Sequence, residues 1–396
     1  MQAFGIVVAV VSGAVLGALA FGRAAERLRI PAPVVFLVVA AVASDLVAPL
    51  RSALSPREVG WIGSGALMVI LFDGGVSLGW RRVRPVVGMV AVLGFGATVV
   101  TAGVMAGAAH ALLGFSWTIS AVFGVALAPT DPAVVFAVIR EGNLAERPKT
   151  ILEAESGAND PIAIALMVGV IAVATDGHQG FPTVASTLGR ELIIGLLVGV
   201  IGAWLARTPL RHLTEPRETL QPIVALSAAG LIFGAAAAAH GSGFLAVFVA
   251  GLLLGDADST IGADVRAFHS ELAGLAEVVV FVSLGLTVHL AALGTSGLVD
   301  GLALTVVLLA LARPPAVAIL LLHIPRNERA FLAWAGMRGA VPILLASLAL
   351  TAGVAHASRI YGLVFTVVAA SVLIQGTTLP AIAARLRVDG RTEQDL

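Results

Sequence analysis

Glu153-Ala-Glu-Ser-Gly-Ala-Asn-Asp-Pro161 opens an apolar run that continues to about Ala174. Three carboxylates, a hydroxyl and an amide fall within eight residues at the mouth of, or inside, a hydrophobic segment. At about 3.6 residues per turn, Glu153, Ser156 and Asp160 share one helix face, with Glu155 and Asn159 stacked one turn apart beside it. A carboxylate near a bilayer centre costs about 2.5–3.5 kcal/mol even on insertion scales. A chain keeps such a group there when it faces water, an ion or a partner, so the stretch reads as an ion or proton site. The plainer reading makes Glu153 and Glu155 a solvated helix start and Asp160-Pro161 a kink.

The composition around it supports a lipid setting. Of 396 residues, 58% are hydrophobic and 12% charged, and the mean hydropathy is +0.99. Soluble domains carry about 25% charged residues, so the chain reads as an all-α polytopic membrane protein with no soluble domain. The 44 glycines suit close helix approach in lipid. Zero formal net charge argues against a nucleic-acid partner, and the lack of cysteine excludes disulfides and thiolate chemistry. Phe4–Ala20 lacks a basic flank and reads as a first span rather than a signal peptide.

Apolar windows laid out against about 30 Å of hydrocarbon number thirteen, the ninth of them short. They run over 4–21, 31–49, 61–79, 85–113, 117–139, 149–174, 188–206, 220–239, 243–255, 270–290, 297–323, 329–351 and 358–385. With the amino terminus outside and the carboxyl tail cytoplasmic, eighteen of the 24 Lys and Arg residues fall on the cytoplasmic side and four on the other. The remaining two, Arg313 and Arg338, lie in or at the edge of spans. The fifth window and the twelfth, which is the fifth after the linking seventh, form an echo. The fifth window contains Ala128-Pro129-Thr130-Asp131-Pro132, and the twelfth contains Gly336-Met337-Arg338-Gly339-Ala340-Val341-Pro342. Paired interrupted segments point to a midplane transport site. The reading is two inverted six-helix repeats, roughly 1–174 and 220–385, joined by a linking span at 188–206, with interrupted helices that cross.

A cation entering a dry site must replace its hydration oxygens. Asp160 offers a charge, Ser156 a hydroxyl, and the Thr130 carbonyl a neutral oxygen freed by the prolines on either side. Asp131 is a direct ligand or, as readily, compensates freed helix ends. Arg338, alone among apolar residues, needs a partner, and Glu155 is the candidate for an ion bridge. Because Asn159 is neutral, a single carboxylate carries either one proton or one monovalent cation. Asp73, in Phe72-Asp73-Gly74-Gly75, could line an inner funnel or act as a cap. His240, His289 and His323 receive no role. Asp256, Asp258 and Asp264 lack metal-ligand spacing, and no cofactor is implied. No Walker, HExxH or hydrolase GxSxG pattern is present, so neither ATP-driven pumping nor hydrolysis is supported.

From Glu155 to Pro161 the sequence resembles the monovalent cation/proton antiporter superfamily, most closely its NhaP-type branch, marked by an Asn-Asp pair in the sixth span. Phe72–Gly75, Pro129–Pro132, Gly241–Val247 and Arg338–Pro342 resemble stretches of that branch in the same order. The wording around Asn159-Asp160 is closest to potassium/proton antiporters. The resemblance implies a homodimer in a cell membrane, with a dimerisation domain and a six-helix core that moves like an elevator. It further implies electroneutral one-for-one exchange of H⁺ for K⁺ or Na⁺, with Li⁺ as a further candidate. It places the cation on Asp160, Ser156 and Thr130, with Glu155 and Arg338 as ion bridge. Relatives linked to potassium often carry a cytoplasmic regulatory domain after the last span, whereas this sequence stops at Leu396. A sodium-coupled solute carrier on a related fold, and a sensor or scaffold that has lost transport, are the competing readings.

Overall fold

The computed structural model describes residues 9, 13, 16, 31–47, 50, 54–136, 139, 144–176, 180–212, 220–256, 262–288 and 290–388. The window 4–21 lies outside these apart from Ala9, Gly13 and Leu16, as do Asp258 and His289. The described residues form α1 (Ala32–Leu46), α2 (Pro56–Leu78), α3 (Trp80–Leu113), α4 (Trp117–Ala126), α5 (Pro132–Phe136), α6 (Glu146–Thr175) and α7 (Phe181–His212). They continue as α8 (Gln221–Ala238), α9 (Gly243–Gly255), α10 (Ala263–Leu286), α11 (Gly294–Leu320), α12 (Arg326–Ala335), α13 (Ala340–Thr351) and α14 (Ala357–Leu386). Eight are long and apolar enough to cross a membrane, and the bent pair α12 and α13 makes up to nine. Three shorter apolar helices, α1, α4 and α9, complete the apolar set.

Local chemistry sets the ends. Ser55 and Glu58 form a reciprocal capping box ahead of α2, with Pro56 in its first turn. Ser116 and Ser242 accept from the Ile119 and Leu245 amides and so start α4 and α9. The fifth and twelfth windows are indeed broken. Pro129 and Pro132 lack amide donors and push Ala128 and Asp131 away from helical torsions, so 127–131 runs unwound between α4 and α5. Gly336–Gly339 separates α12 from α13, which meet at 43°.

Two helices are irregular without breaking. α3 carries a π-helical stretch at Val92–Ala97, and α11 carries one at Leu308–Ala312, just before Arg313-Pro314-Pro315. In α11 the missing amides of Pro314 and Pro315 leave upstream carbonyls to find other donors, which favours the wider turn. The wider turn puts Leu308, Ala312 and Arg313 all on the buried side.

Helices α1, α2, α9 and α10 pack as one group, and α3, α4, α11, α12, α13 and α14 as another. α6 and α13 touch both groups. Gly75 and Gly251 let α2 and α9 meet backbone to backbone, where a Cβ on either would strike the other helix. At the far end of the chain, the Ala145 amide donates to the Val388 carbonyl at 2.9 Å, and Asn327 Nδ2 donates to the Leu386 carbonyl at 3.2 Å. The first bond joins the end of α14 to the start of α6, and the second joins it to the start of α12.

Candidate functional site

The middle of α6 lies against the unwound stretch between α4 and α5, and this contact builds the site. Ser156 Oγ donates to the Thr130 carbonyl at 2.7 Å. Asn159 Nδ2 donates to Thr130 Oγ1 at 2.7 Å, and the Thr130 amide donates to Asn159 Oδ1 at 3.4 Å. Backbone that lost its helical partners through proline is thereby satisfied by two side chains of α6, as buried polar groups require.

The two broken segments complete each other. The Asp131 amide donates to the Met337 carbonyl at 2.8 Å. The Asp131 carboxylate occupies the space where a side chain on residue 339 would stand, directly ahead of α13, so only glycine fits there. Arg338 Nε donates to the Leu127 carbonyl at 3.1 Å, and Arg338 Nη1 donates to the Gly336 carbonyl. Those carbonyls end α4 and α12, the negative poles of two half-helices, while the acid sits by the positive pole of a third. Opposite charges thus meet opposite helix ends inside the crossing.

This geometry corrects the expected ion bridge. Glu155 pairs with Arg313, not Arg338: Arg313 Nη1 and Nη2 donate to its two carboxylate oxygens at 2.5 and 2.8 Å. All three residues are buried. Arg338 is taken up by the carbonyls of the breaks, which leaves the carboxylate to the other lone arginine. A fork of two parallel bonds is the strongest arrangement open to such a pair.

Asp160 has a different environment. It is 4% exposed, and its Oδ1 is buried with no hydrogen-bond partner. It lines a cavity of about 530 Å³ together with Asp73, Asp131, Glu153, Ser156 and Glu277. No Lys, Arg or His lines that cavity among the described residues. Asp160 and Glu277 both lie within electrostatic reach of Asp131. Glu153 keeps Lys149 one turn away at 3.9 Å. Asp73, the possible funnel residue, stands on the cavity wall, and its Oδ1 is buried without a partner. Thr130 and Asn159 are buried behind the lining rather than in it.

Of the residues singled out in the sequence, the structure brings Asp160, Ser156, Asp131 and Asp73 to one cavity and sets Thr130 and Asn159 against its back. Glu155 and Arg338 lie in separate bonding arrangements. Two charged residues escaped the sequence reading, Glu277 and the partnership of Arg313. Each was visible as a charge well inside a predicted span, at 270–290 and 297–323. Among the described residues no cluster of His, Cys, Asp and Glu could hold a resident metal ion.

The likeness to known proteins covers the whole site. The K(+)/H(+) antiporter NhaP of Alkalimonas amylolytica is 30% identical over 98% of this chain and 68% of its own length. The K(+)/H(+) antiporter NhaP2 of Shewanella sp. (strain ANA-3) is 31% identical over 95% of this chain and 67% of its own. The chain therefore spans about two thirds of the length of these relatives. The fold matches that of the sodium proton antiporter MjNhaP1 from Methanocaldococcus jannaschii, with a TM-score of 0.79 at 22% identity, covering 97% of this chain and 99% of that one. The family model described as sodium/hydrogen exchanger, transmembrane, matches residues 10–385. A carboxylate left bare in a cavity between broken, crossing helices therefore sits in a transporter rather than an enzyme, and the chain belongs to the transmembrane sodium/hydrogen exchanger family.

Proposed function

We propose that this protein exchanges one H⁺ for one K⁺ or Na⁺ at Asp160. The observation that carries the reading is the buried, partnerless Oδ1 of Asp160 facing a cavity with no basic residue in its lining among the described residues. An ionised carboxylate in that position needs a counter-charge. A proton and a monovalent cation are the two that can replace one another. Ser156 and the Thr130 carbonyl supply neutral oxygens, and Asp131 holds the helix end beside them. Asn159 spends its amide on Thr130, so it adds no charge to the cycle, which makes the exchange electroneutral. The names of the curated relatives favour K⁺, and the family description favours Na⁺; Li⁺ is a third candidate. The reading of a sodium-coupled solute carrier loses support from family membership.

The same reading places thirteen spans in a cell membrane, with the amino terminus outside, and a homodimer in lipid whose core domain moves as an elevator. Inverted repeats are supported by paired irregularities. The fourth and eleventh windows both carry π-helical stretches, the fifth and twelfth are both broken, and the sixth and thirteenth are both 30-residue helices with an internal proline, Pro161 and Pro380.

The test is proteoliposome flux with an internal pH dye, adding Na⁺, K⁺ or Li⁺ in turn. Wild type should alkalinise the lumen on cation addition, and apparent cation affinity should fall about tenfold per pH unit in the acid range where the two ligands compete. An imposed membrane potential should leave net flux unchanged. Exchange that follows the potential overturns the one-for-one reading, and exchange surviving in Asp160→Asn moves the site elsewhere.

A further inference from the structure

A second cavity, of about 580 Å³, lies outside the site. Helices α2, α10 and α13 line both cavities, at opposite ends. The first cavity takes lining residues from 63–78 of α2, 270–281 of α10 and 340–344 of α13. The second takes Pro56 at the start of α2, Thr287 just past the end of α10, and Leu350 near the end of α13. At 1.5 Å of rise per residue, the gap along each helix is about 9–10 Å. The stretches between contain Val59, Leu284, Leu345 and Ala349, all buried. An apolar seal therefore parts two cavities that are otherwise in line.

Tyr361, the one tyrosine of the chain, lines the second cavity on α14. Its hydroxyl donates to the Leu284 carbonyl at 3.1 Å and lies 2.6 Å from Thr287 Oγ1, which can donate to it. Each partner is anchored on its own side. Ser44 Oγ of α1 donates to the Leu286 carbonyl at 2.8 Å, which ties the end of α10 to its own helix group. Arg359, two residues before Tyr361, reaches Asp300 of α11 at 3.0 Å and stands over the Phe115 ring ahead of α4, at 5.2 Å from its centre. The Asp300–Arg359 pair thus stays within the group of α14, whereas the Tyr361 bonds cross from that group to the other.

We infer that the Tyr361 phenol is a latch that keeps the second cavity shut off from Asp160, and that this cavity is the ion's route to the membrane face opposite the first. The inference rests on the exchange reading, in which Asp160 must meet both faces in turn, and adds to it the residue that holds one face closed. A bare cation does not cross an apolar layer of this thickness, because nothing there replaces its hydration oxygens. The helices around the seal must part instead. Apolar contacts alone let packed helices slide, and directional hydrogen bonds between them fix one register. Parting α14 from α10 breaks the bonds of Tyr361 to Leu284 and Thr287 and leaves the Asp300–Arg359 pair whole.

The chain has no cysteine, so one introduced thiol reports the opening. Ser347→Cys places it in the seal, on α13 between the cavities, where the native side chain is 1% exposed. Leu350→Cys, on the wall of the second cavity, gives the rate of an open thiol. Right-side-out and inside-out membrane vesicles are treated with a membrane-impermeant maleimide. Tyr361→Phe removes the hydroxyl and keeps the ring. It should raise labelling of the seal thiol about fivefold, the shift that losing one buried hydrogen bond gives a two-state equilibrium. The rise should come from the face that labels Leu350→Cys and not from the other. Thr287→Val, which leaves the Leu284 bond in place, should raise it less, and Thr287→Ser, which keeps the hydroxyl, should leave it at the starting rate. An unchanged rate in Tyr361→Phe, or a rise from both faces alike, overturns the latch; where Tyr361→Phe does not fold, Thr287→Val decides by the same criterion. Labelling requires no flux. A wild type that moves no protons on cation addition therefore sinks the exchange reading, and the thiol still decides whether Tyr361 holds the seal.

Discussion

Glu155 and Asp160 lie five residues apart on one helix, at 1% and 4% exposure, and their surroundings are opposite. Glu155 is gripped on both oxygens by Arg313. Asp160 leaves Oδ1 bare toward a cavity. Burial is the same for both, so burial does not separate the paired acid from the one proposed to carry the exchange. What separates them is whether the protein itself supplies the opposite charge. A carboxylate with a resident guanidinium has no use for a travelling cation. One without must take its counter-charge from outside, which is the condition for exchange.

The comparison breaks most visibly at Asp160. Losing one charge of a desolvated pair costs about 2–5 kcal/mol, so Asp160→Asn should lower exchange about a hundredfold or more, at every pH. Its elution as a folded species on size exclusion should match wild type, because the amide keeps the volume. A variant that unfolds instead would make Asp160 architectural after all.

The next effect is on stability, and it falls on the other acid. Glu155→Gln and Arg313→Met each strand a buried charge, at about 3–5 kcal/mol. The double variant should cost less than the sum, with a coupling of about 1–3 kcal/mol in a thermal or denaturant cycle in detergent. Pairing Glu155→Gln with Arg338→Met should give a smaller coupling, since Arg338 is engaged by backbone carbonyls. Equal couplings would mean that the two arginines share Glu155.

A smaller effect is expected behind the cavity. Asn159→Ala strands the Thr130 amide and hydroxyl, and unmet buried groups cost about 1–3 kcal/mol. Exchange should persist at reduced rate and remain electroneutral, as a potential-clamped flux would report. The least effect belongs to the pair Asp300 and Arg359, 3.0 Å apart and partly exposed. Asp300→Asn should shift stability by less than about 1 kcal/mol, which sets the scale of an ion pair that water can replace.

Much of this was legible in the sequence, for identifiable reasons. Hydrophobic length located the helices, and Pro129, Pro132, Gly336 and Gly339 located the two breaks, because missing donors and absent side chains act locally. The spacing of Ser156, Asn159 and Asp160 put them together, since neighbours on one helix need no tertiary information. The partner of Glu155 was not legible. Two lone arginines, 313 and 338, satisfied the same electrostatic demand, and the choice was made by the carbonyl ends of α4 and α12, which attract one of them. Glu277 was missed for a related reason. An acid within an apolar window carries no motif, and only the fold brings it to the cavity that Asp160 also lines.

The bond from the Ala145 amide to the Val388 carbonyl has a mechanical meaning. Backbone hydrogen bonds are short and directional, so the end of α14 and the start of α6 form a joint rather than a sliding contact. A rigid helix transmits displacement along its axis, and Glu155 and Asp160 lie on the α6 rod that begins at this joint. The bond therefore fixes the start of the helix that carries Glu155 and Asp160 against the end of α14.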